Sequence, residues 1–230
     1  MSLDFDSARL PNSFLKPEHH EWRAQLRRFF DREVIPYAAQ WDEDGRIPDE
    51  LWPKSAAVGI LGLGYPEEFG GVTEGIDIWY SIILNEEMAR IAVGGVSATL
   101  LVHGIALPPV INFGSEAIKQ MVAPPVLAGT KRISLGITEP GAGSDVAHLT
   151  TTARLDGDHY VVNGSKTYIT GGMNANWFTT AVRTGGEGAG GVSALLIPAD
   201  AEGVSRTALD KKQGWWCSDT ATIYFDNVRV

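Results

Sequence analysis

Apolar residues recur with a helical period through the first 130 positions. Trp22, Leu26, Phe29 and Phe30 fall at i, i+4, i+7 and i+8, one face of an amphipathic helix. Pro36 predicts its kink or end. A short helix is predicted over 49–57, after Pro48. Ile76, Tyr80, Ile83 and Leu84 repeat the same spacing, and Met88 and Ile91 extend it. Residues 96–107 are apolar all round, as a buried helix is, and Pro108-Pro109 should bend or stop it. Ser115 is the expected N-cap of a helix over 115–126. Between these segments, residues 65–71 read Tyr-Pro-Glu-Glu-Phe-Gly-Gly, a turn-rich loop.

From about residue 131 the period shortens to that of strands. Strands are predicted over 132–138, 149–155, 160–163, 166–170, 177–183, 192–197 and 220–225. Asp156-Gly157-Asp158 and Asn163-Gly164 are hairpin signals, because such turns need residues that tolerate positive φ. Composition shifts at the same place. Threonine rises from 3 to 12 and proline falls from 10 to 2 between residues 1–130 and 131–230. Threonine favours strands and proline interrupts sheets. The expected fold class is α+β: an all-helical domain over 1–130, then a β-barrel or sandwich domain over 131–230. The Gly-rich run 184–191 is expected as a surface loop.

The formal charge of −9 leaves no basic stripe, so no nucleic-acid partner is expected. Cys217 is the only cysteine, which excludes an internal disulfide and favours a cytoplasmic location. The five histidines show no metal-ligand spacing, so no metal is expected. No run of 18 apolar residues is present, and no membrane span is expected. Residues 1–6 are acidic, unlike the start of a signal peptide, and no transit peptide is apparent. Gly141-Ala142-Gly143 fails as a dinucleotide fingerprint because Val146 stands where Gly or Ala is needed. Gly164-Ser165-Lys166-Thr167 fails as a P-loop, and no serine sits in a nucleophile elbow.

What remains is the segment 135–145. A strand runs into Thr138, and Glu139-Pro140-Gly141-Ala142-Gly143 follows, with Ser144 and Asp145 beyond. Glycine lets a backbone approach a ligand closely, and such turns expose amides. The loop suits a flat, polar-edged ligand or a phosphate. It also suits a plain hairpin-like turn with a capping serine.

These residues resemble the acyl-CoA dehydrogenase family. The resemblance rests on 65–71, Glu86-Glu87-Met88-Ala89-Arg90, Phe113-Gly114-Ser115-Glu116, 137–145, Asn163-Gly164-Ser165-Lys166-Thr167-Tyr168-Ile169-Thr170 and 225–230, in order and spacing. It implies a helical N-terminal domain, a middle β domain that holds FAD, and oxidation of an acyl-CoA thioester to the 2,3-enoyl-CoA. By position, it implies that Leu135, Ile137 and Thr138 line the flavin's pyrimidine side, with Thr138 offering an amide and a hydroxyl. Gly143 is expected near the pyrophosphate and Ser144 near the CoA arm. Tyr168 takes the family's aromatic position beside the ring, where Trp or Phe is common. Thr170 is expected at flavin N5, with Ile169 between them on the same strand. Ser97, Ala98, Leu101, Val102 and Ile105 align with acyl-contacting positions. Trp215-Trp216 departs from a family pattern that commonly has an arginine near the second position.

The implied chemistry removes an α-proton and a β-hydride. It needs hydrogen bonds to the thioester oxygen and a desolvated carboxylate base. The resemblance puts that base, a glutamate, on a helical C-terminal domain beyond residue 230, so no catalytic residue is assigned within the chain. Glu86 and Glu87 are expected to be structural. The chain is expected to be a fragment of such an enzyme. Its electron acceptor is expected to be an electron-transfer flavoprotein, and its complete form a homo-oligomer, dimer or tetramer. The alternatives are an acyl-CoA oxidase or flavin monooxygenase relative, and a non-catalytic half-subunit whose partner supplies the base.

Overall fold

Leu26 and Phe30 are fully buried along α1 (Pro17–Glu33), and Trp22 and Phe29 are nearly so, which is the face the spacing predicts. This structure, a computed structural model, describes residues 11–230. The acidic stretch 1–6 lies outside the described residues. Two units emerge from the internal contacts. The first holds residues 11–100, with 127–130 and 213–218; the second holds 101–126, 131–212 and 219–230.

The first unit is helical. After α1 come α2 (Ala38–Asp44), α3 (Leu51–Ala57), α4 (Ile78–Ala89) and α5 (Gly94–Leu100). Pro17 opens α1, where a missing N–H costs nothing. The His19 ring reaches back to accept the Lys16 amide on Nδ1 at 3.0 Å. That leaves Nε2 to carry the proton, and it meets Asp77 Oδ1 at 3.0 Å. Asp77 also caps α4 by accepting the Trp79 amide at 2.9 Å. One aspartate thus ties the starts of two helices that pack on each other.

Glu87 is fully buried on α4. Arg27 reaches it at 2.9 and 3.0 Å, Arg23 at 3.0 Å and Arg90 at 3.3 Å. Glu86 pairs with Arg23 at 2.6 Å. Burial would push the Glu87 carboxyl up, but the arginines outweigh it and hold it below the usual carboxylate range. Both glutamates are thus structural ion-pair partners. Residues 213–218 close over α5. A side chain on Gly94 would meet Trp215 Nε1 at 2.5 Å, and one on Gly95 would meet Cys217 Sγ at 2.7 Å. Cys217 is buried, and its amide bonds Asp42 Oδ1 at 3.0 Å. Trp215 therefore packs where glycine leaves room; nothing in the structure explains Trp216.

The second unit begins with three short helices: α6 (His103–Ala106), α7 (Pro108–Phe113) and α8 (Glu116–Leu127). The single helix expected over 96–107 is broken, since α5 ends at Leu100 and α6 starts at His103. Pro108 stands at the first position of α7, which proline tolerates. Taken end to end, residues 94–113 are long and apolar enough to cross a bilayer by length and composition, and 44% of the most apolar window is buried. Within the second unit Ala106 is fully buried and its carbonyl accepts Thr179 Oγ1 at 2.7 Å, as in a core helix. Ser115 caps α8, accepting the Ile118 amide at 3.3 Å.

Seven strands follow in one curled mixed sheet: β1 (Ile133–Gly136), β2 (Thr152–Asp156), β3 (His159–Thr170), β4 (Trp177–Arg183), β5 (Val192–Pro198), β6 (Val204–Ala208) and β7 (Thr220–Arg229). The order is β1-β4-β2-β3-β7-β6, with β5 also on β4. β1 runs parallel to β4, while β3 is antiparallel to β2 and β7. The helical region followed by a half-barrel of strands is the fold class expected. The core lies on one face of the sheet and includes Val162, Ile169, Phe178, Val182, Ile197, Ile223 and Phe225.

Readings of the strands change as well: the strand expected over 149–155 starts only at Thr152. Gly157 turns the β2–β3 hairpin at φ 65°, as expected. Asn163-Gly164 is not a hairpin: β3 runs through it, and the register against β7 shifts there. Gly164 has φ 143°, and a Cβ on it would lie 2.6 Å from Thr151 Oγ1. The glycine makes a bulge that lets β3 close on Thr151. A further change is β6, a half-exposed edge strand whose polar sequence gives no apolar alternation.

Candidate flavin seat

The stretch after β1 and the end of β3 lie side by side. Thr167 donates its amide to the Thr138 carbonyl at 2.8 Å. Lys166 Nζ, fully buried, donates to the Ile137 carbonyl at 3.0 Å and to Glu139 Oε1 at 2.8 Å. Glu139 accepts three further bonds: from Thr150 N at 2.6 Å, Thr150 Oγ1 at 2.7 Å and Thr151 N at 2.9 Å. Burial would raise the Glu139 carboxyl, but Lys166 and the two threonines outweigh it and bring it down to about 2. Burial draws the Lys166 ammonium below the usual amine range, against the pull of Glu139.

The turn that follows is tight. Glu139 and Ala142 exchange backbone bonds at 2.9 and 3.2 Å around Pro140-Gly141. Gly141 and Gly143 are exposed, and a Cβ on either would meet nothing within 4 Å. Their value is open space, since neither has positive φ. Ser144 and Asp145 are exposed beside them. The Thr138 amide has no partner among the described residues.

On β3, Tyr168 has φ 59°, which is rare for a residue other than glycine. The β3–β7 register shifts between Lys166 and Ile169, which turns Tyr168 out of the ladder. It is 64% exposed, so packing does not account for it. Such backbone outliers cluster at ligand sites. Thr170 pairs with Thr220 and is half-buried. The loop beyond is pinned by Asp219, whose carbonyl accepts the Gly171 amide at 2.9 Å and whose carboxylate accepts Met173 N at 2.8 Å. Burial pushes the Asp219 carboxyl up.

Leu135, Ile137, Thr138, Gly143, Ser144, Tyr168, Ile169 and Thr170 thus all belong to the second unit. Ile169 differs from the rest: its side chain is buried in the sheet core, so it can reach a ligand only through its backbone. Among the substrate candidates, Leu101, Val102 and Ile105 are in the second unit, half-buried, half-buried and exposed. Ser97 and Ala98 are half-buried on α5 of the first unit. An apolar groove of about 450 Å³ in the second unit, lined by Pro109, Phe113, Ile118, Met121 and Leu195, includes none of the expected residues. Lys166 and Glu139 stand inside motifs quoted from the sequence, but no role was expected of either side chain. A lysine in a predicted strand reads as solvent-facing, and only the paired buried acid reveals it.

The unpartnered Thr138 amide, the exposed Tyr168 and the open glycine turn all stand within a few residues of the Thr138–Thr167 bond. The sequence matches the family models "Acyl-CoA dehydrogenase, N-terminal domain" over residues 16–130 and "Acyl-CoA dehydrogenase, middle domain" over 134–228. The chain belongs to the acyl-CoA dehydrogenase family. It is 36% identical to "Acyl-CoA dehydrogenase AFT10-1" of Alternaria alternata, over 96% of this chain and 54% of that protein. The crystal structure of a probable acyl-CoA dehydrogenase from Mycobacterium abscessus superposes with a TM-score of 0.90 at 46% identity, covering 95% of this chain and 58% of that one. An acyl-CoA dehydrogenase complexed with FAD from Bacillus anthracis gives 0.84 at 32% identity, covering 96% and 37%. The chain spans about half the length of the curated relatives it matches.

Proposed function

We propose that the protein containing this chain is an FAD-dependent acyl-CoA dehydrogenase that converts an acyl-CoA thioester to the 2,3-enoyl-CoA. The observation that carries the proposal is the pairing of Thr138 with Thr167 beside an unpartnered Thr138 amide and an open glycine turn. The donor set fits the cofactor. The Thr138 amide and hydroxyl, with Leu135 and Ile137, would hold the pyrimidine edge, and Tyr168 would lie against the ring. The Gly143 backbone would face the pyrophosphate and Thr170 would face N5. The bound flavin supplies a two-electron sink, which no side chain can provide.

The chain's own residues bind and orient. Ser144 is assigned to the CoA arm, and Ser97, Ala98, Leu101, Val102 and Ile105 to acyl contacts. Deprotonation at the α-carbon needs a carboxylate free to take a proton. Glu139 is held at about 2 by four hydrogen bonds, and Glu87 is bound by three arginines. Neither can serve as that base, and the proposal places it outside these 230 residues. Transfer of electrons to an electron-transfer flavoprotein, homo-oligomeric assembly and a cytoplasmic location belong to the same proposal. The last is supported by the lone buried thiol.

The test uses the complete open reading frame that encodes this chain. The purified protein should be yellow. Its flavin absorbance should bleach anaerobically with an acyl-CoA and an enoyl-CoA should appear. Reoxidation should be faster with electron-transfer flavoprotein than with oxygen. A colourless protein indifferent to CoA thioesters would refute the proposal.

A further inference from the structure

Resting on the flavin reading above, we propose that Lys166 is a positioning residue that aims the Thr138 amide at the cofactor by holding the carbonyl of Ile137. A trans peptide is planar, so its C=O and N–H point to opposite sides. The carbonyl of the 137–138 peptide is anchored inward by an ammonium that is fully buried, at 3.0 Å. The N–H of that same peptide, on Thr138, must then face the other way. The next carbonyl, on Thr138, is held by the Thr167 amide at 2.8 Å. Both peptides flanking Thr138 are thus fixed through their oxygens, and its amide is left for a ligand.

Lys166 is itself held still. Glu139 accepts its second bond at 2.8 Å and is locked in turn by Thr150 and Thr151. A buried ion pair is a costly way to stabilise a sheet; apolar residues of similar volume often do as well. Its gain here is direction. A charged donor on the carbonyl also polarises the peptide and strengthens the N–H on its far side. A donor fixed in advance, where the ring gains negative charge on reduction, favours the reduced cofactor without reorganising.

The experiment compares wild type, Glu139→Gln, Glu139→Gln/Lys166→Met and Glu139→Gln/Lys166→Gln, all as holoprotein from the complete reading frame. The double variants leave no unpaired buried charge, so folding is spared. Relative to Glu139→Gln, the Met double variant should lose about tenfold in FAD affinity, the scale of one hydrogen bond. Its cofactor should also be harder to reduce, by about tenfold in equilibrium constant or about 30 mV for a two-electron couple. The flavin absorption bands should shift and the thermal midpoint should stay within a few degrees. The Gln double variant, with a shorter neutral donor, should fall between. Unchanged affinity and potential in both double variants would overturn the inference, leaving Lys166 a structural residue. A wild-type protein that binds no flavin would instead sink the flavin reading, and this inference with it.

Discussion

The Thr167 amide donates to the Thr138 carbonyl at 2.8 Å, which brings the residues that follow the first strand beside the end of β3. Nothing in the spacing of those residues along the chain requires it. The bond exists because β3 continues past Gly164 and passes β1's extension.

Gly143 offers a test that separates the site from the fold. A Cβ there meets nothing within 4 Å, and its φ is not positive. Gly143→Leu should change stability by less than about 0.5 kcal/mol, as exposed substitutions do. It should lower FAD affinity at least about tenfold by filling the space a ligand needs. Flavin fluorescence titration and thermal unfolding on the same sample check both halves.

Glu87→Ala should behave oppositely. It strips the buried carboxylate from Arg23, Arg27 and Arg90. Losing one partner of a buried charge cluster costs about 3–5 kcal/mol. Urea unfolding should show the unfolding free energy falling by that amount. Glu87→Gln should cost less, because the amide oxygen still accepts.

Acid should expose the Glu139 contribution. Its carboxyl sits at about 2 in the folded protein against an ordinary value of 4.5. A folded-state value below the unfolded one means the stabilisation is complete above about pH 4.5. It is lost as pH falls from 4.5 towards 2. Integrated over that window, it is on the order of 3 kcal/mol. Urea midpoints measured between pH 6 and pH 2.5 should fall more steeply for wild type than for Glu139→Gln, and the two curves should run parallel above pH 5.

Gly164→Ala should destabilise by more than about 1 kcal/mol, since alanine is strained at positive φ. The new methyl would also press on Thr151 at 2.6–2.8 Å. A lowered thermal midpoint is expected. FAD affinity should weaken too, because Thr151 is one of the donors that hold Glu139.

Helix faces were legible in the sequence because burial on a helix follows a simple period. Leu26, Phe30, Ile83 and Met88 all point inward as their spacing demands. The hairpin at Gly157 was legible because an aspartate-flanked glycine has few other uses. Asn163-Gly164 looked alike locally but is a bulge; only the pairing of β3 with β7 on both sides of it decides. β6 was hidden because an edge strand held mainly by backbone bonds needs no apolar pattern. Of the site, the turn 139–143 and Tyr168 were readable as motif residues. The role of Lys166 was not, because its meaning lies in a carboxylate and a carbonyl that are distant in sequence.

β3 is paired on both sides, with β2 over 159–163 and with β7 over most of its length, and the seat is built at its far end. Amide protons of the doubly paired stretch of β3 should exchange with solvent only when the whole sheet opens, while those of the exposed residues 143–145 exchange freely. A cofactor held between such a stiff rib and a pliant lip would meet one wall that never yields and one that can. Variation that retunes the chemistry without unfolding the protein therefore has its room on the lip.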